Sequence, residues 1–190
     1  MWLKYIYLTE TNIDIKTHMN EKLSMDDLGR LSSDEFKASQ KNRIILVLDN
    51  IRSLNNVGSA FRTSDAFLIE AIYLCGVTGT PPKPEIEKTA LGATETVTWK
   101  YFKTTQEAFE NLKTQGFYIA SIEQAKNSIM LNQFKKPEQP LALVFGNEVY
   151  GVEQDIINQS DACIEIPQFG TKHSFNVSVS MGIVLWEMLR

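Results

Sequence analysis

Three loops, each placed just after a short apolar run, carry the residue types best suited to chemistry. The first runs from Asp49 to Arg62, is rich in side-chain amides, holds Arg52 and Arg62, and opens into a helical pattern. Gly58 and Arg62 stand four apart, on one helical face and off the apolar stripe. A guanidinium over a small residue near a helix N-terminus, where anions are favoured, suits a phosphate. The same spacing lets Arg62 pair with Asp65 as a solvated i,i+3 ion pair. In the second loop, Phe145-Gly146-Asn147-Glu148-Val149-Tyr150-Gly151, a glycine directly follows a strand, where the missing Cβ lets a ligand approach the backbone. Glu148 follows it, with a helix cap or a turn as its alternative role. The third loop runs from Ile166-Pro167-Gln168 to Ser178 and enters a helix whose start is dense in hydroxyls and amides. Ser174 and Asn176 together exceed what one N-cap requires.

These loops need a frame that gathers them. Ile44 to Leu48 is a continuous, largely β-branched run; Val57, Ala60, Phe61, Ser64 and Leu68 then recur at helical spacing; Ala71 to Leu74 is strand-like again, so the unit reads βαβ. After Gly79-Thr80-Pro81-Pro82 come a short helix through Ile86 to Leu91, a strand at Val97 to Tyr101, and a helix started by Thr104 with Glu107 and ended by Gly116. Strands at Phe117 to Ala120, Leu141 to Phe145 and Ala162 to Ile166 follow, with an irregular stretch after the first, a helix near Gln154 to Gln159 before the last, and a final helix from about Ser178 to Leu189. Six strands alternating with helices, apolar on both faces, predict an α/β fold: a mostly parallel six-stranded sheet with helices on both faces. In such sheets ligands collect beyond the carboxyl ends of the strands, where all three loops lie. The last helix carries Met181, Ile183, Val184, Leu185, Trp186, Met188 and Leu189, more apolar surface than one stripe. Burial against its neighbours or a subunit interface would cover it.

Residues 1–42 differ in character, being polar with charges of both signs. Ser24 to Leu28 and Ser32 to Phe36 read as capped starts of short helices, and the first 18 residues have no periodicity that commits them to a core. The sequence therefore divides into an N-terminal arm, 1–42, and a domain, 43–190.

Composition narrows the function classes. The 190 residues are 43% hydrophobic and 22% charged, the balance of a globular domain, and no apolar stretch is long enough to span a membrane. No cleavage site follows the N-terminus, so the expected address is cytoplasmic. Cys75 and Cys163 sit singly in apolar segments and read as reduced core residues, which leaves no metal site. The Asn-x-Ser triplets at Asn158 and Asn176 would matter only in a secreted protein. A net charge of -4 means that any contact with nucleic acid must rest on a local basic patch. No Gly-x-Gly-x-x-Gly follows a strand and no Gly-Lys-Ser or Gly-Lys-Thr is present, which disfavours dinucleotide and P-loop chemistry. Of the 2 histidines, only His173 lies near a candidate loop, and its neighbour Ser174 would point away from it, against a Ser-His-Asp hydrolase.

At the three loops the sequence resembles the SpoU/TrmH family of S-adenosylmethionine-dependent RNA 2′-O-ribose methyltransferases, in the SPOUT superfamily. The matching motifs are Asn56-Val57-Gly58-Ser59-Ala60-Phe61-Arg62-Thr63, Phe145 to Gly151, and Ile166-Pro167 through Ser174-Phe175-Asn176-Val177-Ser178-Val179, in order and spacing over roughly residues 43–190. The resemblance implies a C-terminal deep trefoil knot, S-adenosylmethionine held by backbone groups in that knot, a structured RNA substrate with tRNA slightly ahead of rRNA, and a homodimer with the active site near the subunit interface. It places Gly146, Ile166, Phe175 and Thr78 at the cofactor. It makes Arg62 the catalytic arginine, with Asn56, Glu148, Ser174 and Asn176 as the remaining polar positions that hold the arginine, the loops and the nucleotide. Because an arginine pKa exceeds about 12, clamping the adjacent phosphate and steadying oxyanion charge is its expected part, with assisted deprotonation. His173 is no motif position.

Two departures stand out: Gln168 where the family often has methionine, and Phe175 where it often has leucine. The N-terminal arm lacks the size of the RNA-binding domain of ribosomal-RNA members, which leaves substrate selection to the arm, the Thr78 to Lys88 loop and nearby lysines. Two rival readings are a non-catalytic RNA-binding module and a base-directed methyltransferase. The intact polar positions oppose the first, and the ribose-branch motifs oppose the second.

Overall fold

The computed structural model describes residues 22–24 and 27–190, and these divide into two units between Leu31 and Ser32. In the first, Ser24 donates its main-chain N–H to Asp27 Oδ2 at 2.9 Å and its Oγ accepts the Asp27 N–H at 3.3 Å, as at a helix start. Residues 27–29 form a turn that does not continue into a helix at that start. The expectations for the first 18 residues lie outside the described residues.

The second unit begins at Ser32, earlier than the boundary at 43, because α1 (Ser33–Ala38) belongs to it. Ser32 and Glu35 close the reciprocal capping box that starts α1, and Phe36, 4% exposed, joins the core. The unit continues through β1 (Asn42–Asp49), α2 (Leu54–Ala66), β2 (Ile69–Cys75), α3 (Pro84–Ala90), α4 (Ala93–Thr96), β3 (Trp99–Phe102), α5 (Thr105–Thr114), β4 (Tyr118–Ile122), β5 (Ile129–Met130), β6 (Leu141–Phe145), α6 (Gln154–Gln159), β7 (Ala162–Glu165) and α7 (Val177–Leu189).

The strands form one sheet in the order β3-β2-β1-β6-β4-β7-β5, with every pairing parallel. Seven strands replace the six expected. The extra one, Ile129–Met130, has two residues beside β7, too few to leave an alternating pattern in sequence. β1 is an interior strand between β2 and β6, with Leu46 opposite both Ile72 and Leu143, and its residues from Ile44 to Asp49 are buried. That double-sided burial is why the run is apolar without alternation.

Successive residues of β1 serve opposite cores. Ile44, Leu46 and Leu48 pack with residues of α1, α2, α3, α4 and α7, while Ile45 and Val47 pack with α5 and α6. Parallel strands bring all their carboxyl ends to one edge, so the loops after β1, β4, β6 and β7 emerge together. Asp49, 1% exposed at the end of β1, anchors that edge. Its carboxylate accepts from the Thr105 hydroxyl of α5 and from the Asn50 amide, the latter at 2.9 Å.

Candidate active site

The site is built on a relay that runs through all three loops. Glu148 reaches back from the loop after β6 to the turn entering α2, accepting the Arg52 N–H at Oε2 and the Ser53 N–H at Oε1, both at 3.0 Å. Its Oε1 also accepts the Asn56 side-chain amide at 3.0 Å. Asn56, 8% exposed in the first turn of α2, turns its Oδ1 to the Asn176 amide at 3.2 Å. Asn176 in turn caps α7, its Oδ1 accepting the Ser178 N–H at 2.9 Å. Both ends of the Asn56 amide are thus occupied by protein, which makes it a positioning residue. Burial pushes the Glu148 carboxyl up, but the donors from Arg52, Asn56, Ser53 and its own main chain outweigh it and hold the group below its ordinary 4.5.

Beside the relay lies a cavity of about 560 Å³, lined by the ends of β4 and β6, the loop from Gly146 to Gly151, and the segment from Ile166 to Ser180. Of the residues singled out in the sequence, Glu148, Ser174, Asn176, Gly146, Ile166 and Phe175 line it. Asn56 stands behind the wall. Thr78 and Arg62 are not among the lining residues. The Thr78 side chain is 3% exposed and saturated by main chain, donating to Leu48 O at 3.0 Å and accepting the Ile51 N–H at 2.9 Å. It borders a second, separate cavity.

Two glycines singled out in the sequence are held to glycine by contacts within the chain. A Cβ on Gly146 would lie 2.1 Å from the Gly151 carbonyl carbon and from Val152 N, so the missing side chain admits the protein's own backbone. There Gly151 N–H bonds to Asn147 O at 2.8 Å to close the loop on itself. A Cβ on Gly58 would lie 2.0 Å from Thr89 Oγ1 and 2.2 Å from Ile86 O, so this glycine seats α3 against α2 and offers no cradle for an anion. Arg62 is exposed and, among the described residues, its side chain makes no hydrogen bond or ion pair. The ion pair allowed by its spacing to Asp65 does not form; Asp65 instead accepts the Thr96 hydroxyl at 2.7 Å.

Several cavity residues have parts that the sequence alone does not assign. Glu123, just past β4, accepts the Val152 N–H at 3.0 Å and the Gln124 N–H at 2.8 Å. The Gln124 side chain donates to His173 O at 2.8 Å, tying the loop after β7 across the cavity. Asn147 pins its own loop, donating to Asn50 O at 2.7 Å and accepting from Val149 N–H at 2.9 Å. The rule that ligand loops follow strand ends pointed to the Glu123 segment, which its irregular pattern hid. The cysteines are no part of the site: Cys75 is fully buried, and burial, with Asp49 nearby, pushes its thiol up to about 12. No cluster of three His, Cys, Asp or Glu able to hold a metal ion, and no helix long and apolar enough to cross a membrane, occurs among the described residues.

Comparison with known proteins gives this geometry a context. The sequence model of the SpoU rRNA Methylase family matches residues 43–186. An uncharacterized tRNA/rRNA methyltransferase of Borreliella burgdorferi is 30% identical over 178 residues, covering 94% of this chain and 76% of that protein. The 23S rRNA (guanosine-2′-O-)-methyltransferase RlmB of Vibrio parahaemolyticus is 30% identical over 158 residues, covering 83% of this chain but only 63% of its own length. The crystal structure of the A. aeolicus TrmH/SpoU tRNA modifying enzyme superposes with a TM-score of 0.71 at 29% identity, covering 81% of this chain and 77% of that one.

Proposed function

The chain belongs to the SpoU rRNA methylase family, and from that premise we propose that it transfers a methyl group from S-adenosylmethionine to a ribose 2′-hydroxyl of a structured RNA. One observation carries the reading: the Glu148–Asn56–Asn176 relay, which ties the three motif loops around a single cavity at the carboxyl edge of the sheet. The 2′-O position is supported by RlmB, a relative named for that reaction on guanosine. Transfer RNA stands slightly ahead of ribosomal RNA in this reading, supported by the similarity to the A. aeolicus tRNA modifying enzyme. The family's deep trefoil knot, formed by the chain after β7, and a cytoplasmic address belong to the same proposal.

The cavity fits the cofactor in size and in chemistry. About 560 Å³ lies within the range of roughly 300 to 1,000 Å³ typical of small-ligand sites. Ile122, Phe145, Ile166 and Phe175 give it apolar surface for a ring, and Asn147, Gln168 and Ser174 give it polar groups. Among the described residues, no main-chain N–H from Gln168 to Phe175 donates to another main-chain group, so these largely exposed donors are open to a ligand in place of water. S-adenosylmethionine, when bound there, supplies an activated methyl group. The protein has to present the ribose hydroxyl in line with it and stabilise the oxygen as its proton leaves. Arg62, exposed and unpaired among the described residues, is assigned to the phosphate beside that ribose and to the developing oxyanion.

Arg62 does not border the cavity of its own chain, and α7 presents Val179 and Trp186, 49% and 63% exposed, with Ile183 between them on one face. A homodimer, in which a second copy covers α7 and completes the site, accounts for both.

The deciding measurement is transfer of labelled methyl from S-adenosylmethionine to unmodified total RNA, followed by alkaline hydrolysis. A 2′-O-methyl group protects the neighbouring phosphodiester, so label is expected in alkali-resistant dinucleotides; label in mononucleotides would replace this reading with base methylation. Arg62→Ala should lower transfer at least a hundredfold and leave S-adenosylmethionine affinity within about twofold, the signature of a group acting on the transition state. Unchanged turnover would remove Arg62 from the chemistry.

A further inference from the structure

The second cavity, about 390 Å³, sits between the loop after β2 and the edge strand β3, with Trp99, Tyr101, Lys83 and Thr80 on its walls. We propose that it is a stacking site for an unpaired base of the RNA substrate, with Lys83 on that nucleotide's phosphate. The proposal rests on RNA being the substrate.

Trp99 and Tyr101 are two apart on a strand and therefore face the same side. Tyr101 is 48% exposed, yet its ring is not free to turn, because its hydroxyl donates to Gly76 O at 3.0 Å. The loop that receives this bond is itself pinned. Asn50 Oδ1 accepts the Val77 N–H at 3.1 Å and occupies the space where a Gly76 Cβ would stand, 2.1 Å away. The Thr78 hydroxyl is locked onto Leu48 O and Ile51 N–H, and a Cβ on Gly79 would meet Leu54 Cδ2 at 2.2 Å, so the loop presses directly on α2. An exposed aromatic held rigid in this way binds without the entropic cost of ordering it.

Charge selects the partner. Lys83 is the one charged residue that lines the cavity, and no carboxylate does. Among the described residues Lys83 forms no ion pair, in a protein whose net charge is -4. Flat aromatic surface with a single free cation matches a base and its phosphate, as on single-strand binding platforms. The site is also wired to the first cavity. Asn50, which holds the Val77 N–H, gives its main-chain carbonyl to the Asn147 side chain in the wall of that cavity. One strand of RNA can therefore use both, with the target ribose at the first and a flanking base at the second.

The test compares Tyr101→Leu, which loses the ring, with Tyr101→Phe, which keeps the ring and loses only the hydroxyl. Filter binding of labelled unmodified total RNA should weaken roughly tenfold for Tyr101→Leu, the size of one lost base–aromatic stack, and only about twofold to threefold for Tyr101→Phe, which keeps the stacking face but frees the ring. Lys83→Ala should reduce the slope of log affinity against log salt by about one. Calorimetry with S-adenosylmethionine should show no change in any of the three. Equal affinity across wild type and both Tyr101 variants overturns the proposal, as does equal weakening of both, which would assign Tyr101 to anchoring the loop. Uridine or adenosine 5′-monophosphate bound as tightly as RNA would move the site to free nucleotides, and a wild-type protein that binds no RNA would overturn it too. Ring-dependent RNA binding without any methyl transfer would keep this site and discard the methyltransferase reading; transfer whose KM for RNA ignores Tyr101 would do the reverse.

Discussion

At the scale of single residues, the candidate site is an arrangement of amides around one carboxylate. Glu148 accepts from two main-chain N–H groups and the Asn56 amide, and these donors keep its carboxyl below 4.5 in spite of burial. A carboxyl whose folded value is lowered contributes stability that is complete above its unfolded value and is lost as pH falls through the folded one. Below about pH 4.5 the protein should lose this contribution and the relay should loosen. Glu148→Gln presents an amide where two N–H groups already point, so thermal melts should show a loss of about 1 kcal/mol at pH 7 and a flatter acid limb than wild type. Parallel melting curves for the two proteins down to about pH 3 would show that the carboxylate is not what joins the loops. Asn56 is the link in which the sequence signal and the physical role differ most. Its type and position stand out in the motif, but only the structure gives it two partners from distant loops.

At the scale of elements, the apolar runs of the central strands were legible because parallel strands covered on both faces have no solvent side to interrupt the pattern. Leu141–Phe145 and Gln154–Gln159 were read at their observed bounds, and α7 begins one residue before the expected Ser178. What escaped was short or set by tertiary contact. β5 has two residues, and α4 spans four between Gly92 and Val97, lengths at which neither helical nor strand periodicity can appear. Glycines show a second kind of loss, because a sequence cannot tell whether the space beside a glycine belongs to a ligand or to the chain. Gly146 gives that space to the backbone of Gly151 and Val152. Gly146→Ala should therefore strain the loop and lower stability by about 2 kcal/mol, and cofactor affinity should fall with it. Calorimetry on a Gly146→Ala protein with an unchanged melting temperature but lost binding would restore the simpler idea that the glycine makes room for the ligand.

At the scale of the whole molecule, one surface is out of keeping with an isolated chain. Val177, Met181, Val184, Leu185 and Met188 bury one side of α7 in the core, so this helix is already satisfied where it meets the sheet. Val179, Ile183 and Trp186 form a second apolar stripe on another side, and Trp186 remains 63% exposed. The same helix is capped by Asn176, the last link of the relay, so a copy packed on α7 would sit beside the cavity. This proximity is why the proposed homodimer bears on catalysis as well as on solubility. Trp186→Asp places a charge in the stripe at a position that the single chain leaves open, and should leave the fold and melting cooperativity intact. Sedimentation should give twice the 21.6 kDa chain mass for wild type and the single-chain mass for the variant. Methyl transfer should fall with dimerisation and recover at protein concentrations that force association. A wild-type protein that sediments as one chain while retaining full transfer would mean that Arg62 works beside its own cavity, and α7 would then need a different partner.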